Sequence, residues 1–75
     1  MTEAQAEALA QKLPAGWLEK TRAKLAASGH HFSDGMISRV KNAHHQNADI
    51  EEALLEVAAD EAARQAELTK RIESI

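Results

Sequence analysis

The sequence predicts an all-α fold, a small domain of four helices with a long helix at its C-terminal end. Two observations carry this. Helix formers, above all Ala with Leu, Glu, Gln and Lys, dominate the 75 residues, while β-branched residues are few. Three breaks, at Pro14–Gly16, at Gly29–Phe32 and at His44–Asn47, cut the chain into segments of helical length in which apolar residues recur three or four apart.

A chain of this length makes one domain, at the small end of what folds alone. It has no cysteine, so neither a disulfide nor a thiolate metal site is available to brace it. The core must come from Leu, Ile, Val, Met and Ala around two aromatic rings, Trp17 and Phe32. Such a core is thin, and dimerisation is a natural supplement. No apolar run is long enough to cross a membrane, and no charged stretch leads into an apolar one at the N-terminus. The default expectation is a cytoplasmic location. We expect a single unit over 1–75, with its core at about 13–59, an N-terminal helix over 2–13 and a helical extension over 60–75.

Thr2–Leu13 reads as the first helix. Thr2 suits its cap, Glu3 suits the positive end of the helix dipole, and Leu9 and Leu13 lie four apart. Pro14-Ala15-Gly16 ends it. Trp17–Ser28 reads as the second helix, with Trp17, Leu18, Thr21, Leu25 and one of Ala26 or Ala27 toward the core. Lys20 and Lys24 fall on a wetter face. Gly29 suits the left-handed position after a helix. Ser33 to about Ala43 reads as the third helix, capped by Ser33, with Ile37 and Val40 on one narrow apolar edge. The last helix starts at Asn47 and runs to about Arg71. Ile50, Leu54, Val57 and Ala58 give its core stripe. The stripe weakens past Asp60 and resumes at Leu68, Ile72 and Ile75.

The net charge of −3 conceals an uneven distribution. In residues 17–47, Lys20, Arg22, Lys24, Arg39 and Lys41 stand against only Glu19 and Asp34, and all four histidines lie there too. Acids outnumber bases on both sides of this stretch. A basic centre between acidic ends points to an anionic partner for the centre.

The third helix has little apolar surface and many hydrogen-bonding side chains, which suits a helix held at a surface to touch something polar. Gly29, Phe32 and the run Ser33-Asp34-Gly35-Met36-Ile37-Ser38-Arg39-Val40-Lys41-Asn42 resemble the turn and recognition helix of lac-repressor-like and phage-repressor-like helix-turn-helix domains. Asn47-Ala48-Asp49-Ile50-Glu51-Glu52-Ala53-Leu54-Leu55 resembles their supporting helix. The turn here is longer than is usual in those families. The resemblance implies a DNA-binding regulator docking helix 33–43 in the major groove of duplex DNA. It implies that Ile37 and Val40 are core residues, that Ser33 caps the helix and touches phosphate, and that Asp34 and Gly35 occupy base-reading positions. Arg39 would contact a base or phosphate, and Asn42 the backbone. Ser38 lies on the same polar side. Lys20, Lys24, Lys41, His44 and His45 are the candidates for phosphate contact.

The rival reading is a non-enzymatic helical adaptor that binds another protein through its N-terminal or C-terminal helix. Leu68, Ile72 and Ile75 are the candidate seam of a homodimer. We expect no enzyme, since no nucleophile is matched to a base and no glycine-rich phosphate loop is present. The histidines read as solvated loop residues rather than metal ligands, because adjacent histidines on a helix diverge by about 100°. No cofactor and no small-molecule substrate is implied.

Overall fold

The computed structural model describes residues 1–75. It has four helices and no strand: α1 (Glu3–Lys12), α2 (Trp17–Ala27), α3 (Asp34–Lys41) and α4 (Ala48–Glu73). The all-α expectation and the long final helix are both met. The boundaries differ slightly from those expected. Thr2, Ser33 and Asn47 are caps outside the helices, and α4 continues to Glu73.

Local chemistry explains each start. The Thr2 hydroxyl accepts from the Gln5 N–H at 3.1 Å, and the Gln5 side chain accepts from the Thr2 N–H at 2.9 Å, closing a capping box. The Ser33 hydroxyl accepts from the Met36 N–H at 3.2 Å, and Asn47 Oδ1 from the Ile50 N–H at 3.1 Å. Asp49 and Glu51 add negative charge at the positive end of α4.

The ends of α2 and α3 share one device. Gly29 takes a left-handed φ of 80°, which lets the His30 N–H donate to the Leu25 carbonyl at 2.8 Å and the Gly29 N–H to that of Ala26 at 3.0 Å. After α3 the left-handed residue is Ala43, with φ 63°. There the His44 N–H donates to the Arg39 carbonyl at 2.8 Å and the Ala43 N–H to that of Val40 at 3.0 Å. Ala43 therefore leaves the helix rather than extending it, and its Cβ makes this conformation costly.

The core is built on α4. Ile50, Ala53, Leu54 and Ala58 of α4 cluster with Leu9 of α1, Leu25 of α2, and Ile37 and Val40 of α3. Ile37, Val40, Ile50 and Leu54 are completely buried. Ala6 of α1 is buried as well, so α1 is an integral wall of the fold. Thr21 is the one buried polar residue, and its hydroxyl donates to the Trp17 carbonyl at 2.7 Å. Ala26 and Ala27, expected to supply one core contact between them, are both exposed. Leu25 holds the centre of the buried edge, and each following residue rotates about 100° away from it.

At 26 residues α4 is about 39 Å long, close to the longest dimension of the molecule, 44 Å. Helices α1–α3 cover only its first half. Past Glu61 every residue of α4 is exposed.

Ala43→Gly should raise stability by about 1 kcal/mol, because glycine accepts the left-handed backbone without steric cost. A thermal melt followed by circular dichroism checks this, and an unchanged or lowered melting temperature would contradict the role assigned to Ala43.

Candidate functional site

Two surfaces have the makings of a site: the outer side of α3, and the distal half of α4.

The buried edge of α3, Ile37 and Val40, fixes which side faces out. Ser33, Asp34, Gly35, Arg39 and Asn42 are exposed, as are His44 and His45 just beyond, while Ser38 and Lys41 are half-buried. The α2–α3 turn is braced from both ends. The His30 ring stacks on Phe32 with centroids 6.0 Å apart, and its Nε2 lies 3.9 Å from Asp49 Oδ1 at the start of α4. Gly35 has open space around it, since an added Cβ would meet only the Ser33 hydroxyl, at 4.0 Å.

The structure spends much of the basic charge that the sequence places here. Lys24 Nζ lies 2.7 Å from Asp60 and 3.9 Å from Glu56, both on α4, so it faces that helix rather than an external anion. The hydrogen bond to Asp60 raises the Lys24 pKa, with the Asp60 and Glu56 charges adding to it against some desolvation. Arg22 lies 3.4 Å from Asp34. Lys41 Nζ sits over the Trp17 ring at 5.1 Å from its centroid, a cation–π contact that ties α3 to the start of α2. Lys20 is exposed, and its charge helps hold the Glu61 carboxyl below its ordinary pKa, after the larger effect of the hydrogen bond from Gln65. Arg39 is exposed and pairs with no carboxylate. Arg39 and Lys20, neither of them in an ion pair, and the exposed His31, His44 and His45 are what remains of the basic centre.

The second surface is apolar. The α4 face that buries Leu54 and Ala58 continues at spacings of three and four residues to Leu68 and Ile72, and Ile75 follows. Leu54 is completely buried, whereas Leu68 is 38 % and Ile72 71 % exposed. The same face is thus core in the first half and open in the second. Glu61 and Gln65 interrupt this face between Ala58 and Leu68, with Gln65 donating to Glu61 at 2.9 Å, and the pairs Arg71–Glu67 and Arg64–Glu61, at 3.6 Å each, run beside it. Leu55, 59 % exposed, adds a separate apolar point beside Ala8, Ala59 and Ala62 in the groove between α1 and α4. The sequence gives one signal for it: Leu55 is a large apolar residue on the side of α4 away from the Ile50–Leu54–Val57 stripe, about 100° round from Leu54 and further from the other two.

No family model, no curated protein and no solved structure matches this chain. What stands is the class: a small all-α domain of four helices, none of them long and apolar enough to cross a membrane.

Two substitutions probe this geometry. Gly35→Ala should stabilise the fold by up to about 1 kcal/mol, since the site has room and alanine favours helix. A denaturant titration reads it, and a loss would mean that Gly35 is confined in a way its surroundings do not explain. Lys24→Ala should lower the melting temperature at neutral pH. Because the Lys24 pKa is raised on folding, its contribution is fully present below the ordinary lysine value and disappears as pH rises through the raised one. Melts of the two proteins should therefore converge in strong alkali, and a gap that persists there would show that the ammonium is not responsible.

Proposed function

We propose that this chain is a non-enzymatic helical interaction module that binds another protein through the distal half of α4. The carrying observation is the switch of one helix face from core to solvent. Leu68 and Ile72 stand on the face that Leu54 buries, with nothing over them. An apolar helix face with charged flanks is the kind of surface that packs against a partner helix. Helix–helix docking needs only such a stripe, and α4 presents it already formed.

Duplex DNA bound through α3 is the second reading, and Arg39 favours it. An exposed arginine without a carboxylate partner, on a short capped helix with Ser33, Gly35 and Asn42 beside it, has the means to meet a groove about 12 Å wide. The resemblance to helix-turn-helix domains supports this reading. Against it, Lys24 and Arg22 already have carboxylate partners, and the acidic row of α4 lies behind them. Few cations are left to displace counterions from DNA.

The two readings separate cleanly. Proteins retained from a lysate by the wild-type chain should be lost by Ile72→Glu and kept by Arg39→Ala; retention indifferent to Ile72→Glu would sink the module reading. Under the DNA reading, fluorescence anisotropy with duplex DNA should show binding at low salt that falls steeply as salt rises. Arg39→Ala should then weaken it by roughly 1–3 kcal/mol if the contact is a bidentate one to a base. Absence of binding at low salt would remove the DNA reading.

A further inference from the structure

We propose that Asp34 is a site of spontaneous backbone modification. Through a cyclic imide formed with Gly35 it converts to isoaspartate in the folded chain, and the conversion unwinds the start of α3. The site is independent of what binds α4, and three features of the first turn of α3 single it out.

The first is the residue that follows. Ring closure brings the main-chain nitrogen of the next residue onto the carboxyl carbon, and a side chain on that residue stands in the way. Of the three aspartates only Asp34 precedes a glycine; Asp49 precedes Ile50, and Asp60 precedes Glu61. Space around Gly35 is open, the nearest atom to an added Cβ being the Ser33 hydroxyl at 4.0 Å.

The second is the attacking nitrogen. The Gly35 N–H falls in the first turn of α3, where no helical carbonyl lies behind it, and it donates to no protein atom. The corresponding groups after the other two aspartates are engaged. The Ile50 N–H donates to Asn47 Oδ1 at 3.1 Å, and the Glu61 N–H lies inside α4, bonded to the carbonyl one turn back. The positive end of the α3 dipole also favours loss of the proton from the Gly35 nitrogen.

The third is freedom to move. Asp34 has one side-chain partner, Arg22 at 3.4 Å, and the two side chains are 54 % and 48 % exposed. A surface pair of this kind is too weak to fix the carboxyl. Ring closure turns the Asp34–Gly35 peptide out of its helical setting. That opens only the first turn, whose cap is a single exposed bond, Met36 N–H to the Ser33 hydroxyl at 3.2 Å, and helix ends open at little cost.

The chemistry is self-contained. The Gly35 nitrogen bonds to Asp34 Cγ and gives up its proton, and the carboxyl hydroxyl departs with that proton as water. Water then adds to either carbonyl of the ring. Addition at Cγ breaks the new bond and restores aspartate. Addition at the main-chain carbon breaks the original Asp34–Gly35 bond, so the chain runs on through Cβ and Cγ and the main-chain carboxylate hangs free. One water leaves, one returns, and nothing is oxidised or reduced. The backbone between Ser33 and Met36 is now one atom longer, so the Ser33 cap no longer fits its N–H.

Trypsin releases the peptide from Leu25 to Arg39, in which Asp34 is the only aspartate and no asparagine occurs. After the full chain has stood for weeks at neutral pH and body temperature, this peptide should separate into two of equal mass. In buffer made with heavy-oxygen water, the new one should carry one heavy oxygen. Asp34→Glu, which keeps the charge but closes a larger and less favourable ring, should lose the second species. The converted chain, isolated, should melt at a lower temperature than the unconverted one. Isoaspartate that forms at position 34 in urea but not in the folded chain overturns the proposal, because α3 then protects the site. A second species that survives in Asp34→Glu overturns it as well, and an unchanged melt of the converted chain overturns the unwinding of α3.

Discussion

Everything in this fold depends on one stripe of one helix. Ile50, Leu54, Val57 and Ala58 present a continuous apolar edge, and three short helices reach the core by leaning on it. None of those helices is longer than 11 residues, too short to persist alone in water. Their packing on α4 is what makes them helices at all. The whole chain buries only 11 residues, so each core contact carries a large share of the stability. The buried threonine fits this economy, since its hydroxyl is satisfied within its own helix and asks nothing of the others.

Folding also rearranges charge. The sequence sets bases in the middle and acids at the ends, and read along the chain it looks like a basic module with acidic neighbours. In three dimensions the acidic helix lies alongside the basic one. Lys24 binds across to Asp60, and Arg22 reaches Asp34. Part of the apparent affinity for an external anion thus becomes internal cohesion. A linear tally cannot anticipate this, because it depends on which residues sit opposite one another when α2 packs against α4.

The fold was legible in the sequence because it is written in local signals. Thr2, Ser33 and Asn47 announce helix starts, Pro14 and Gly29 announce ends, and the Ile50–Leu54–Val57 spacing marks the core. The misread positions are those where tertiary context decides. Ala26 and Ala27 are too small to declare a face. Ala43 carries no sign of its left-handed backbone, since that conformation usually belongs to glycine. The candidate site was legible only in part. The exposed positions of α3 follow from the burial of Ile37 and Val40, but whether Lys24 is free or Leu55 covered depends on neighbours distant in sequence. The return of apolar residues at Leu68 was visible. That they share a face with the core, and that the body stops short of them, required the structure.

The two halves of α4 differ in what keeps them helical. The first half is clamped by tertiary packing. The second is held by backbone bonds and by side-chain contacts one turn apart, such as Gln65–Glu61 and Arg71–Glu67, which contribute only a few tenths of a kcal/mol each. An isolated peptide of that length would be mostly coil, because starting a helix is the unfavourable step. Here the body performs that step, and the tail only propagates turns already begun. It is a helix on loan from its own core. Whatever settles on the tail finds its side chains already arrayed, and the act of settling adds packing to a segment that has every residue exposed past Glu61.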